Sequence, residues 1–265
     1  MHSPRPARHP YLDSPAPRVL AHRGLVTGED AALGVVENSF AAVAAAHAAG
    51  IPYVESDCHV TADGEVILFH DDDLSRVTGD PRKIADVRLP ELEDLMAERG
   101  GLITLRQALD AFPDVRFNLD VKAEAAAEPV GRLVTPHAER VLITSFSDER
   151  RLAALESART AGAVMRPATS PGSATVARLL AARALGLRRR VARLLSDLDA
   201  LQVPERQGPV HVVTPGLVRA AHAASVEVHV WTVNDRRDME RLLGLGVDGL
   251  VTDRGDIALA LVNER

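Results

Sequence analysis

The sequence predicts an α/β protein built as a closed (βα)8 TIM barrel, on three observations. From residue 18 onward, short β-rich runs alternate with Ala- and Leu-rich helical stretches; about eight such units fit in the chain; and no glycine fingerprint for phosphate follows the first run. The alternation argues for parallel βα units, and their number for closure rather than an open doubly wound sheet. The missing fingerprint argues against a dinucleotide fold. A chain of 265 residues suits a barrel as a single unit. Hydrophobic residues make up 46% but aromatics only 3%, so Ala, Val and Leu must fill the core.

The first strand is read at Arg18-Val19-Leu20-Ala21. A helix starts near Asn38-Ser39 and stops at Gly50, a good position for a terminating glycine. Pro52 to Asp57 forms the next strand, and Glu65 to Phe69 another extended piece after the turn at Asp63-Gly64. Further strands are expected at 115–121, 140–144, 162–165, 200–203, 227–232 and 249–251. Helical patterns lie at about 105–111, 125–135, 148–160, 174–186, 216–224, 235–244 and 255–263. Residues 71–104 break this rhythm. A long structureless connection inside a compact domain is uncommon, so they are read as a small insertion after the second strand region, with a short helix at Pro90 to Glu98 that shields the site. The expected organisation is an N-terminal arm over residues 1–17, loose or docked, followed by a single barrel domain over residues 18–265.

Acidic residues (37) outnumber basic ones (31), a formal charge of -6, which argues against a nucleic-acid footprint over the whole surface. The run Arg188-Arg189-Arg190, with Arg183 and Arg193 nearby, reads as a solvated helix face or turn. The single cysteine, Cys58, cannot form an internal disulfide, and residues 1–17 lack the apolar stretch of a secretory signal. No run approaches the ~18 apolar residues of a spanning helix, so a cytoplasmic location without an integral membrane segment is expected.

Chemistry concentrates at predicted strand ends, where barrel enzymes gather their active sites. Glu55 and Asp57 stand two apart, so their side chains share one face and repel unless a cation lies between them; Mg²⁺ or Ca²⁺ is the natural partner for such oxygens. A solvent-exposed acidic strand end is the plainer alternative. Asp120 lies in an otherwise apolar run where an unpaired carboxylate would be expensive; it serves either the metal or an ion pair with Lys122. His22 and Arg23 close the first strand and His70 closes the segment after Glu65. Two imidazoles converging on one pocket can act as acid and base. Arg23 and Lys122 would meet phosphate oxygens. Cys58 should face away from Asp57 as a packing residue.

These residues, in this order, resemble the glycerophosphodiester phosphodiesterase family. The matching features are His22-Arg23-Gly24, Glu37-Asn38-Ser39 with Phe40, Glu55-x-Asp57, Thr61-x-Asp63-Gly64, His70-Asp71, Asp120-Val121-Lys122 and Trp231-Thr232-Val233-Asn234. They span residue 18 to about 256. The resemblance implies a barrel with one divalent cation held by Glu55, Asp57 and Asp120, and His22 and His70 as the catalytic pair. Glu37 would lie behind the residues that touch substrate or help orient it, and Trp231 would line the substrate cavity. It also permits attack by the substrate's own glycerol hydroxyl before water completes the reaction. Three positions depart from the usual pattern: Val36 precedes Glu37 where proline is commoner, Ser39 replaces threonine, and Asp120 stands where glutamate is usual, with a shorter reach.

The implied activity is metal-dependent hydrolysis of a small phosphodiester to glycerol 3-phosphate and an alcohol. Two alternatives are a lysophospholipase D-like enzyme, which an apolar rim at the barrel mouth would favour, and a non-catalytic phosphoester-binding protein, which has no need of an acid and base pair. Oligomeric state has no signature in the sequence.

Overall fold

A computed structural model describes residues 8–264. Among the described residues there are eleven strands: β1 (Arg18–His22), β2 (Tyr53–Val60), β3 (Val66–Leu68), β4 (Arg116–Val121), β5 (Val141–Thr144), β6 (Ala168–Thr169), β7 (Ala200–Pro204), β8 (Arg206–Gln207), β9 (Val210–His211), β10 (Glu227–Trp231) and β11 (Gly249–Thr252). Eight run parallel in the order β6-β5-β4-β2-β1-β11-β10-β7, and β3 lies antiparallel on β2. The chain therefore forms a nearly closed eight-stranded parallel barrel. Its last gap, between β6 and β7, is bridged by single bonds rather than a ladder. The Asp199 amide donates to the Thr169 carbonyl at 3.0 Å, the Asp199 carboxylate accepts from the Thr169 amide at 2.8 Å, and Ser170 Oγ accepts from the Gln202 amide at 2.9 Å.

Helices form the outer layer, at Phe40–Ala48, Leu105–Ala111, Glu124–Val134, Asp148–Thr160, Ser173–Ala184, Arg188–Leu195, Pro215–Ala223, Arg236–Gly244 and Gly255–Asn263. Their starts follow from side-chain caps: Ser39 accepts from the Ala42 amide, Thr104 and Gln107 form a reciprocal capping box, and Asp235 accepts from the Arg237 and Asp238 amides. Gly131 lets Glu124–Val134 lie against Asp148–Thr160, because a Cβ there would stand 2.2 Å from the Ala154 carbonyl oxygen. The Arg188 run is helical and its Arg188, Arg189 and Arg190 are exposed, in line with a solvated face.

One sequence expectation needs correction. Residues 162–165 are a turn, not a strand: Gly162 takes φ +91° and Val164 is fully exposed, so the sixth strand falls later, at Ala168–Thr169. The extended piece expected after the Asp63-Gly64 turn is present at Val66–Leu68, where it folds back on β2 as a hairpin arm outside the barrel. The interruption at 71–104 carries helices at Ser75–Thr78 and Leu89–Met96 and a satellite core of Ile67, Phe69, Leu74, Ile84, Val87, Leu92 and Met96. That apolar cluster gives the segment a fixed seat beside the strand ends.

The opposite mouth of the barrel is plugged from the N-terminal side. Pro10–Leu12 forms a short 3-10 turn that drives Tyr11 and Leu12 into the interior, against Leu20, Tyr53, Leu142, Ala168, Ala200 and Val251. Tyr11 meets Tyr53 edge to face with centroids 5.3 Å apart. Beneath them Arg18, wholly buried, donates to both oxygens of Glu227 at 2.7 and 2.8 Å and to the carbonyls of Leu12 and Ser14 at 2.7 Å each. The forked pairing satisfies two buried charges at once, which a lone charge at that depth would not survive.

His229 is buried beside Glu227, with 2.9 Å between Nε2 and the carboxylate. Burial, followed by the positive charge of Arg18, pushes its pKa from 6.5 down to about 3, because Glu227 is already neutralised by the guanidinium. The unfolded chain therefore binds a proton in this window that the folded one refuses. The stability that His229 contributes is complete above about pH 6.5 and is lost as pH falls toward 3, by an amount on the order of a few kcal/mol. Urea titrations should show unfolding free energy falling between pH 6.5 and 4, with a shallower slope in His229→Gln. An identical slope in the variant would reject this source of acid sensitivity.

Candidate active site

Parallel register places the polar strand ends at matching heights. His22 pairs with Glu55, Glu55 with Asn118, and Asp57 with Asp120. Because registered neighbours on parallel strands face the same side, these groups point together into the C-terminal mouth. His22, Arg23, Glu55, Asp57, His70, Asp120, Lys122 and Trp231 all line one cavity of about 580 Å³. Glu37 does not line it; this residue sits behind Arg23, whose Nη1 donates to Glu37 Oε1 at 2.6 Å.

The turn leaving β1 gives Arg23 its placement. Arg23 adopts φ 59° and Gly24 φ 87°, and a Cβ on Gly24 would stand 2.6 Å from the Ala42 carbonyl carbon. Only glycine allows that approach. The Arg23 amide donates to the Glu55 carbonyl and the Asn38 amide to the Arg23 carbonyl, each at 2.8 Å, which splices the turn to β2. Asn38 then donates through Nδ2 to Asp57 Oδ2 at 3.0 Å while its Oδ1 accepts from Ser56 Oγ at 2.5 Å.

Each histidine is held by its own aspartate. His22 Nδ1 lies 2.6 Å from Asp253 Oδ1, and His70 Nδ1 lies 2.6 Å from Asp71 Oδ1. Burial opposes ionisation of both carboxyls, but the histidine bonds, joined by Asn234 at Asp253 and by Arg76 at Asp71, leave each below the usual carboxylate range. An ionised carboxylate only accepts, so Nδ1 is the protonated nitrogen of both rings and Nε2 carries the lone pair. Burial works against the charged form of His22, yet the Asp253 bond and the charge of Glu55, 3.9 Å from Nε2, raise its pKa.

Lys122 is the cation among the carboxylates, 2.6 Å from Asp120 Oδ2 and 2.9 Å from Asp57 Oδ1. Burial disfavours its charge, but these two partners win and raise its pKa. Glu55 has no such partner. Burial and then the charge of Asp57 push it up to about 8. Its Oε2 and Asp120 Oδ1 are buried oxygens with no hydrogen bond.

Among the described residues no three His, Cys, Asp or Glu side chains stand as a ready-made ion site, since Lys122 holds the space between Asp57 and Asp120. The donor set nonetheless suits a hard cation. Three carboxylates share one pocket, and the orphaned oxygens of Glu55 and Asp120 are the acceptors a divalent ion would satisfy.

The far side of the cavity differs in kind. Pro171, Val176, Ala177, Leu180, Pro204 and Val212 make an apolar wall. Phe146 and Trp231 stand between the two sides, their rings 5.8 Å apart, with Lys122 Nζ 5.3 Å from the Phe146 centroid. Sequence reasoning missed Asp253, Arg76, Phe146 and this wall. Asp253 follows directly on β11, so the strand-end rule that singles out His22 applied to it equally. The wall has no short motif: Val176, Ala177 and Leu180 stand at ordinary helix spacing, and Pro171, Pro204 and Val212 come from separate segments.

The family model for the glycerophosphoryl diester phosphodiesterase family matches residues 22–257. A Mycobacterium tuberculosis protein named probable glycerophosphodiester phosphodiesterase 2 is 37% identical over 246 residues, covering 90% of this chain and 88% of that one. A human protein named lysophospholipase D GDPD1 is 32% identical over 117 residues, 39% of this chain and 35% of its own length. Among solved structures, a Parabacteroides distasonis glycerophosphodiester phosphodiesterase superposes with TM-score 0.70 at 22% identity, covering 95% of this chain and 99% of that one. An Oleispira antarctica phosphodiesterase in complex with the product sn-glycerol-3-phosphate gives 0.69 at 22% identity, covering 94% and 97%. Both share the barrel. With a family match over nearly the whole chain and a full-length relative at 37% identity, the chain belongs to the glycerophosphoryl diester phosphodiesterase family.

Proposed function

We propose that this chain hydrolyses glycerophosphodiesters to glycerol 3-phosphate and an alcohol, with His22 and His70 as the acid and base pair. The observation that carries the reading is that two histidines, each anchored at Nδ1 by a carboxylate at 2.6 Å, line one cavity with Arg23 and Lys122. Family membership and the product named in the Oleispira antarctica structure point to the same reaction.

In this scheme Arg23 and Lys122 take the non-bridging phosphate oxygens and gather charge as it develops there. One imidazole accepts at its free Nε2 the proton of the attacking oxygen, either of water or of the substrate's own glycerol hydroxyl with water then opening the cyclic phosphate, and the other, protonated, donates to the departing alkoxide. Asp253 and Asp71 hold the rings in the tautomer this requires. Glu55, Asp57 and Asp120 would hold a divalent cation, Mg²⁺ or Ca²⁺. When bound, it draws electron density from the phosphate and lowers the pKa of the attacking oxygen. Trp231 and Phe146 pack on the carbon face of the substrate.

Replacing His22 or His70 by alanine should lower turnover of glycerophosphocholine by ~10²–10⁴ with melting temperature nearly unchanged. Wild-type rates in both variants would remove the acid and base assignment. Treatment with EDTA should abolish turnover, and either Mg²⁺ or Ca²⁺ should restore it; activity that survives exhaustive chelation would exclude the metal.

The apolar wall supports a second reading, a lysophospholipase D-like action on a lipid whose acyl chain lies along Val176 and Leu180. Leu180→Gln should then depress cleavage of lysophosphatidylcholine by about tenfold more than cleavage of glycerophosphocholine, a penalty typical of a polar group set against a buried alkyl chain. Equal effects on both substrates would leave the water-soluble diester as the substrate.

A further inference from the structure

We infer that Arg76, contributed by the segment at 71–104, is a positioning residue that holds His70 and Arg23 in working geometry from the same guanidinium. The inference rests on the phosphodiesterase reading above and deepens it. Arg76 Nε donates to Asp71 Oδ2 at 2.6 Å, while the other oxygen of Asp71 holds His70 Nδ1 at 2.6 Å. Arg76 Nη2 donates to Glu37 Oε1 at 2.8 Å, the oxygen that also receives Arg23 Nη1 at 2.6 Å. Arg23 in turn lies 3.2 Å from Asp57 through Nε. One side chain therefore links one imidazole of the cavity to its arginine.

The chemistry requires a guanidinium there. Glu37 receives two cations on a single oxygen, and Asp71 receives two donors on separate oxygens, so a fork with two differently directed N–H groups satisfies both carboxylates at once. An ammonium offers no such fixed pair of directions. The backbone under Arg76 is held by neighbours on both sides: Leu74 is fully buried, and Arg99 donates to the Val77 carbonyl at 2.9 Å. Arg76 itself is half-exposed and does not touch the strand-end carboxylates Glu55, Asp57 or Asp120, so it acts through its two carboxylate partners. Without it, Asp71 keeps a single donor and swings with His70, and Glu37 loses half of the charge that fixes its orientation toward Arg23.

The test is a double-mutant cycle of Arg76→Ala and Asp71→Asn in the full chain with its metal, read by steady-state kinetics on glycerophosphocholine and by thermal melts. Arg76→Ala should lower kcat on the order of 10–100-fold, the usual effect of removing a group that orients a site residue, with KM changed less. Arg76→Ala should cost less in the Asp71→Asn background than in the parent, because the linkage through Asp71 is already broken there. Guanidinium ion added to Arg76→Ala should restore part of kcat, whereas Arg76→Lys should remain impaired. A kcat within twofold of the parent, a loss confined to KM, or multiplicative effects of the two substitutions would each overturn the inference. A parent enzyme with no activity on any phosphodiester would overturn the functional reading instead, and this inference with it.

Discussion

Three carboxylates converge on a pocket too dry to keep them all ionised, and the rest of the site is organised around that conflict. Asp57 is answered by Asn38, Arg23 and Lys122; Asp120 is answered on one oxygen by Lys122; Glu55 is left with an unpartnered oxygen and a pKa near 8. Such crowding costs stability wherever it occurs in a fold, and it persists where charge is to be met by something brought in from outside. A phosphodiester and a hard cation together supply that answer.

The barrel makes the crowding tolerable by separating its charges along the axis. At the base, Arg18 and Glu227 form a closed forked pair under the Tyr11 plug, and His229 stays neutral beside it. At the mouth, the pairing is deliberately incomplete. Leu20, Leu142 and Val251 pack on the plug and keep that part of the interior apolar. Parallel register does the rest, since neighbouring strands bring their last inward residues to matching heights without any contact between distant loops.

Much of this was legible in the sequence where one residue sufficed to carry the meaning. His22 ends β1 and Lys122 follows directly on β4, so both the strand and its terminal group could be read together, whereas Asp57 lies inside β2, which runs on to Val60. The sixth strand was misplaced because it is two residues long, Ala168 and Thr169, and a run that short has no periodicity; the more apolar-looking Ala163-Val164-Met165 drew the assignment instead. Arg76 escaped notice for a different reason. Its partners are five and thirty-nine positions away, and nothing in a linear pattern distinguishes an arginine that bridges two carboxylates from one that meets only water.

That two-residue strand also sets where the cylinder yields. Every other interface between barrel strands is a backbone ladder, whereas β6 and β7 are held by one main-chain bond and the side chains of Asp199 and Ser170. Local opening follows the fewest cooperative bonds, so amide exchange should begin at this stave. The helix that begins at Ser173 hangs from it and carries Val176 and Leu180, so loosening there widens the greasy half of the chamber while the charged half keeps its shape. The barrel is built with a soft side and a hard side, and the reacting groups stand on the hard one.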